Sequence, residues 1–77
     1  MDIQLFVKNF TDQFNETAPE RVTAQTEFRS LEEWSSMVAL SVIAMIDEEY
    51  DTTVTGDDIR SSKTVEDIFN KVAARKS

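Results

Sequence analysis

Residues 33–50 read EWSSMVALSVIAMIDEEY, and this stretch decides the fold. Two adjacent serines, Ser35 and Ser36, stand before a long run that carries no charge, and acidic residues appear only at its end. Serine is a favoured helix N-cap residue, and an apolar run of this length indicates a helix packed against a core. The pattern therefore predicts a helix from about Ser36 to Tyr50.

The uncharged residues of this helix divide between two faces. One set has the spacing of an inward face and consists of Met37, Leu40, Val42, Ile43, Ile46 and Tyr50. The second face contains Val38, Ser41 and Met45. It is either a further part of the core or an apolar patch, edged by Asp47 and Glu48, that fits a groove on a partner protein.

Three other segments also predict helices. A first helix over about residues 2–15 is indicated by the spacing of Ile3, Phe6, Val7, Phe10 and Phe14, with Asp2 as its cap. Residues 57–62 predict one or two short helical turns with Ile59 pointing inward. A last helix begins after the predicted N-cap Thr64, and its apolar stripe is Val65, Ile68, Phe69, Val72 and Ala73.

Residues 16–34 show no clean period and contain the single proline of the chain, so they predict a long loop with space for a short helical turn. Val22, Phe28 and Leu31 are expected to pin this loop to the core. Trp34 is expected to pack beside the helix start, facing Ala39, with ligand stacking as the alternative. The sequence thus predicts an all-α, small four-helix bundle, formed as one domain over residues 1–77, with three main helices, a short third helix and a long first loop.

The composition argues against an enzyme that works alone. The chain has 77 residues and neither cysteine nor histidine. Most metal-ligand sets and the usual base for a serine or cysteine nucleophile are therefore missing, and we expect no catalytic residues. Residues 51–62 partly match a calcium-binding loop at Asp51, Thr53, Thr55 and Gly56, but Ser62 stands where the bidentate glutamate belongs, so we expect no specific metal site.

The charge is acidic and unevenly distributed. The net charge is −7, and the segment from Asp12 to Asp58 has twelve acidic residues against two basic ones. Such a surface repels nucleic acid and attracts basic protein partners. The first residues lack a basic signal-peptide region, and the uncharged stretch from Trp34 to Ile46 is too short to span a bilayer. We therefore expect a cytoplasmic monomer without stable membrane insertion.

The acids at Asp47, Glu48 and Glu49 stand at the end of the helix, where the helix dipole disfavours negative charge. This suggests a role other than helix stability. The two serines have a related ambiguity, since either can cap the helix. A serine at a helix N-terminus can also carry a phosphate ester, because free backbone N–H groups and the dipole favour negative charge there.

These features together resemble the acyl carrier protein family over nearly the whole chain, with the best match from Ser36 to Phe69. In that family an Asp-Ser-Leu motif begins the second helix, which ends in an acidic cluster and an aromatic residue, here Glu48, Glu49 and Tyr50. The stretch DDIRSSKTVEDIF, residues 57–69, is similar to the family's short third helix and the start of its fourth. This chain has Ser-Ser-Met in place of Asp-Ser-Leu, and Glu33 stands at the position of a frequent glycine.

The resemblance implies that a transferase attaches 4′-phosphopantetheine, taken from coenzyme A, to Ser36. The arm would supply the thiol that the chain lacks, and the protein would shuttle acyl groups as thioesters in fatty acid or related lipid or polyketide biosynthesis. The acyl chain would lie among Met37, Leu40, Ile46, Ile59 and Phe69. Partner enzymes with basic patches would dock on the second helix, through residues that include Ser35, Met37, Val38, Ser41, Met45, Asp47 and Glu48. The alternative is a carrier-like interaction module that is never modified.

Overall fold

The computed structural model describes residues 2–76, which form four α-helices. They are α1 (Ile3–Thr11), α2 (Ser36–Tyr50), α3 (Gly56–Arg60) and α4 (Val65–Lys76). Two short 3₁₀ turns, Pro19–Arg21 and Phe28–Ser30, interrupt the long connection between α1 and α2. The predicted all-α bundle with a short third helix and a long first loop is confirmed. No helix among the described residues has the length and hydropathy needed to cross a membrane.

The predicted helix caps are present at three N-termini. Asp2 accepts a hydrogen bond from the Gln4 amide at 2.9 Å, and Ser35 accepts one from the Val38 amide at 3.3 Å. Thr64 accepts from the Asp67 amide at 3.2 Å, and the Asp67 carboxylate accepts from the Thr64 amide at 3.0 Å. Each cap satisfies a backbone donor that has no partner inside its helix.

Helix α1 is shorter than its apolar stripe predicted. It ends at Thr11, and the chain continues through turns in which the Phe14 amide donates to the Thr11 carbonyl at 2.9 Å. Phe14 nevertheless stays buried, with 7% of its surface exposed. Because these turns curl in the same direction as a helix, the stripe continues past the end of α1.

The long loop is attached to the N-terminus of α4 as well as to the core. The Val65 amide donates to the Thr26 carbonyl at 3.1 Å, and the Glu66 amide donates to the Ala24 carbonyl at 2.9 Å. Loop carbonyls thereby satisfy two amides of the first turn of α4. The predicted anchors of the loop to the core, Val22, Phe28 and Leu31, are all buried.

Aromatic side chains fill the centre of the bundle. Phe6 and Phe10 of α1 and Phe28 of the loop are fully buried. The Phe6 ring lies 5.4 Å from the rings of both Tyr50 and Phe69, so one α1 side chain joins the end of α2 to α4. This packing fixes α2 on its inner side, and its opposite side is exposed.

Candidate functional site

The two serines at the start of α2 have different environments. Ser35 is the N-cap, and its side chain accepts the hydrogen bond from Val38. Ser36 is the first residue of the helix, is exposed, and its hydroxyl makes no hydrogen bond to any residue within 2–76. The local structure therefore uses Ser35 for helix stability and leaves the Ser36 hydroxyl available.

An open groove runs between α2 and α3 and includes both serines. Its volume is about 470 Å³. The walls are mainly apolar, with two arginine side chains and both serine side chains among them. The lining residues are Arg29, Trp34, Ser35, Ser36, Ala39, Leu40, Ile43, Gly56, Ile59 and Arg60.

The predicted acyl cavity agrees with this groove only in part. Leu40 and Ile59 line it, whereas Ile46 and Phe69 do not. Ile46 has no exposed surface, and half-buried Phe69 packs against Phe6. Both side chains belong to the core behind the groove, so the open groove includes only part of the predicted set, and an acyl position among Ile46 and Phe69 stays a prediction.

The predicted inward face of α2 is confirmed at four of its six positions, because Val42, Ile46 and Tyr50 are buried and Ile43 packs against the core. Met37 and Leu40, assigned to the inward face, are 79% and 65% exposed. Met45 is instead buried, and half-buried Val38 packs against the core. Both were predicted partner contacts, and their packing corresponds to the core alternative that the sequence left open for this face. This helix has apolar residues on every side, so their spacing alone does not determine which side faces the core.

The exposed side of α2 combines apolar and acidic groups. Met37, Leu40 and Ser41 are exposed in the first two turns of the helix, and Asp47 and Glu48 are exposed near its end. Five of the predicted partner-contact residues are therefore exposed: Ser35, Met37, Ser41, Asp47 and Glu48. We call the surface made by Met37, Leu40, Ser41, Asp47 and Glu48 the outer α2 face.

Trp34 packs beside the helix start, as predicted, but on a different partner. Its ring lies 4.7 Å from the Phe28 ring and 6.2 to 6.3 Å from the rings of Phe14 and Phe10. The sequence had suggested Ala39 as the partner. The larger aromatic surfaces compete for the indole, since they bury more apolar area and allow tilted ring contacts.

Glu33 anchors the segment before α2 to residues 15–17, at the start of the long loop that follows α1. Its carboxylate accepts hydrogen bonds from the backbone amides of Asn15, Glu16 and Thr17, the last two at 2.9 and 2.8 Å, and from the Thr17 hydroxyl at 2.8 Å. Desolvation raises the pKa of this carboxyl, but the hydrogen bonds outweigh that effect and lower it from 4.5 to about 2. Local sequence patterns do not show this interaction, because the hydrogen-bond donors lie 16 to 18 residues before Glu33 in the chain.

Polar contacts from α4 hold α3 beside the groove. Arg75 donates to both carboxylate oxygens of Asp58, at 2.7 and 2.8 Å, and to the Thr53 carbonyl at 3.0 Å. Asp58 also closes a reciprocal capping box with Thr55. The Arg75 hydrogen bond is the main cause that lowers the pKa of Asp58 well below its usual range. Lys71 reaches the other end of α3 and donates to the hydroxyls of Ser61 and Ser62 and to the Asp58 carbonyl.

Arg29 joins the long loop to the C-terminal end of α3. Its guanidinium donates to the Ile59 carbonyl at 3.0 Å and to the Ser62 carbonyl, and it lies 5.0 Å from the centre of the Phe28 ring. These carbonyls lie in the last turn of α3 and just beyond it, where the negative end of the helix dipole makes a cation favourable. The groove therefore has a wall that three basic residues, Arg29, Lys71 and Arg75, fix to the bundle.

The calcium-loop pattern does not fold as a metal-binding loop. Asp51 is the C-cap of α2 in the left-handed conformation, with φ 50°, which aspartate tolerates better than most residues. Thr55 caps α3. Within residues 2–76, no three carboxylates cluster closely enough to hold a metal ion.

Comparisons with protein families, curated proteins and solved structures give no match to this chain. The geometry of the groove is therefore the basis for interpreting its function. An accessible serine hydroxyl lies at the N-terminus of α2, beside a mainly apolar cleft.

Proposed function

We propose that the protein is an acyl carrier that shuttles acyl groups as thioesters on a 4′-phosphopantetheine arm at Ser36, in fatty acid or related lipid or polyketide biosynthesis. The observation that carries the proposal is the free, exposed Ser36 hydroxyl at the start of α2, at the edge of the groove between α2 and α3. The resemblance of residues 36–69 to acyl carrier proteins supports the same residue.

The division of labour between the serines suits this role. Ser35 provides the helix cap, so esterification of the neighbouring hydroxyl would leave the cap intact. A phosphate on Ser36 would stand at the positive end of the α2 dipole, which favours negative charge. The arm would supply the thiol, since the chain contains no cysteine. Leu40, Ile43 and Ile59 would provide apolar contacts for the arm and its acyl group.

Docking of partner enzymes would use the outer α2 face. Exposed Met37 and Leu40 offer apolar contact area close to Ser36, and Asp47 and Glu48 offer negative charge further along the helix. The partners would be a phosphopantetheinyl transferase and acyl-transferring or synthase enzymes with basic patches. Charge complementarity of this kind mainly raises association rates, so the interactions would weaken as salt increases.

Intact mass spectrometry of protein purified from its own host tests the proposal. We expect a mass increase that matches phosphopantetheine, which Ser36→Ala abolishes and Ser35→Ala retains. Ser35→Ala is the matched control, since it removes the adjacent hydroxyl. A protein that keeps its unmodified mass even after incubation with excess coenzyme A and a broad-specificity transferase would overturn the proposal.

The alternative function is a carrier-like interaction module that is never modified. The exposure of Met37 (79%) and Leu40 (65%) favours this possibility, because two large apolar side chains in close sequence proximity on one helix suit a protein contact. Binding of a partner by unmodified protein, unchanged by Ser36→Ala but lost on Leu40→Asp, would support the module. A partner that binds only the modified form would support the carrier.

A further inference from the structure

Two arginines share the groove with Ser36 in a protein that is otherwise acidic. Arg29 and Arg60 both line the cleft between α2 and α3. The chain carries a net charge of −7, and Arg21 and Arg29 are the only basic residues between Asp12 and Asp58. Two of the eight basic residues of the chain therefore line the groove that contains the candidate attachment residue.

The charge of Arg29 is not neutralised by an acidic side chain. Its guanidinium donates to two backbone carbonyls, those of Ile59 and Ser62, and contacts the face of the Phe28 ring. No carboxylate among residues 2–76 forms an ion pair with it. These contacts fix the position of the side chain while its full charge remains available to an anion nearby.

The guanidinium of Arg60 forms part of the groove wall. A Cβ atom added at Gly56, another lining residue, would lie 3.3 Å from Arg60 Nη1, so the guanidinium covers the glycine. Arg60 is paired with Asp57, but the two side chains are 73% and 86% exposed. Exposed pairs of this kind are worth only about 0–1 kcal/mol, so a better-placed anion can replace Asp57.

We propose that Arg29 and Arg60 bind the phosphodiester of the arm on Ser36 and thereby hold the arm in the groove. This inference rests on the proposed modification of Ser36. The phosphodiester is the anion whose position the chain itself determines, because it would be bonded to Ser36 Oγ, and Ser36 lines the same cleft as Arg29 and Arg60. Guanidinium groups match the oxygen geometry of phosphates and bind them with charge-assisted hydrogen bonds.

Direct contact with the phosphodiester would give the arm a resting position. Beyond the phosphate, the arm would follow an apolar wall along α2. This wall is formed by Ala39 and Leu40, one turn after Ser36, and by Ile43, two turns after it. Arg29 and Arg60 would act as positioning residues, and no chemistry at the thioester would depend on them.

The test is a cycle of melting temperatures for unmodified and phosphopantetheinylated protein, each measured for the wild type, Arg60→Gln and Lys63→Gln. Arg60 is chosen because Arg29 also supports α3, and its removal could unfold the groove. Lys63→Gln is the matched control: it removes the same charge from an exposed residue nearby that does not line the groove. The arm carries a free thiol and no acyl group, so cargo cannot contribute to the result.

We expect modification to raise the melting temperature of the wild type by about 2 to 4 °C more than that of Arg60→Gln, as one exposed ion pair would in a domain of this size. Lys63→Gln should behave like the wild type, and the difference should vanish near 1 M NaCl because salt screens the pair. The ³¹P resonance of the phosphodiester should shift in Arg60→Gln and not in Lys63→Gln.

The inference would be overturned if modification raised the melting temperatures of the wild type, Arg60→Gln and Lys63→Gln equally, with identical ³¹P shifts. That result would leave the proposed carrier function intact. The same holds if Arg60→Gln matters only after loading with an acyl group that ends in a carboxylate, since the arginines would then bind cargo. Failure of the wild type to accept the arm under any condition would overturn both the function and the inference.

Discussion

At the scale of single residues, three neighbours before and within the start of α2 perform separate tasks. Glu33 joins the end of the long loop to residues 15–17 at its start, Ser35 caps the helix, and Ser36 keeps a free hydroxyl. The Glu33 carboxylate accepts four hydrogen bonds from residues 15–17, so it has a structural role in addition to its charge.

The cap assignment predicts unequal effects of two adjacent substitutions on the stability of the unmodified protein. Ser35→Ala should lower the free energy of unfolding by about 1 kcal/mol, because the Val38 amide loses its acceptor. Ser36→Ala should change it by a few tenths of a kcal/mol at most, because its hydroxyl has no partner within residues 2–76. Urea unfolding of both variants measures the difference, and equal losses would contradict the assignment.

At the scale of elements, local sequence signals predicted the helices better than their orientation. Asp2, Ser35 and Thr64 were recognisable as caps because capping depends on residues a few positions apart. The inward side of α2 was recognisable only in part, since Val38 and Met45 are as apolar as Met37 and Leu40. Which of these faces the core depends on where α1 and α4 contact the helix, and that is information from distant parts of the chain.

Helix α3 shows what a short element requires from its neighbours. It has five residues and one buried side chain, Ile59, so it cannot be stable by itself. Its capping box is local, but Arg75, Lys71 and Arg29 reach it from 9 to 33 residues away. The sequence predicted the turn of helix, and the three basic residues that hold it beside the groove were found only in the structure.

Removal of one of these contacts should loosen α3 selectively. Arg75→Met should cost about 1 kcal/mol, since Asp58 loses a two-point partner that is only partly exposed. Amide hydrogen exchange in α3, at Ile59 and Ser61, should accelerate about fivefold, the equivalent of that free energy. Arg21→Met is the control, because Arg21 is an exposed base whose side chain has no partner within residues 2–76. Unchanged exchange at α3 in Arg75→Met would contradict this account.

At the scale of the whole molecule, a fall in pH has two opposite effects on the stability of the folded state, one through net charge and one through hydrogen bonds to carboxylates. The net charge of −7 approaches zero near the isoelectric point of about 4.3, which relieves repulsion between acidic groups. Three carboxyl groups, those of Glu33, Asp58 and Asp67, have lowered pKa values. Desolvation raises each pKa, and for Glu33 it is the largest single effect, but in all three groups the hydrogen-bond donors together outweigh it. Their partners lie in the α1–α2 loop, in α3 with α4, and at the start of α4, so the contacts are spread over the bundle.

We expect the hydrogen bonds to decide the outcome. A carboxyl with a lowered pKa in the folded state binds fewer protons than in the unfolded chain, so its stabilisation is complete above the unfolded pKa and is lost as the pH falls toward the folded one. For Glu33 this window runs from 4.5 to about 2. At about 0.15 M salt the repulsion between distant charges is largely screened, whereas direct hydrogen bonds are not. The melting temperature should therefore stay nearly level from about pH 7 to 5 and fall steadily below about pH 4.5.

A pair of variants assigns part of that fall to Glu33. Glu33→Gln should be less stable than the wild type at pH 7, and the gap should close between pH 4.5 and about 2, where the wild-type carboxylate becomes protonated. Glu32→Gln removes the same charge from an exposed neighbouring side chain and should follow the wild type throughout. Thermal melts followed by circular dichroism across this range make the measurement. A wild-type melting temperature that rises through the isoelectric point and stays high to pH 2 would show that relief of charge repulsion outweighs the lost hydrogen bonds.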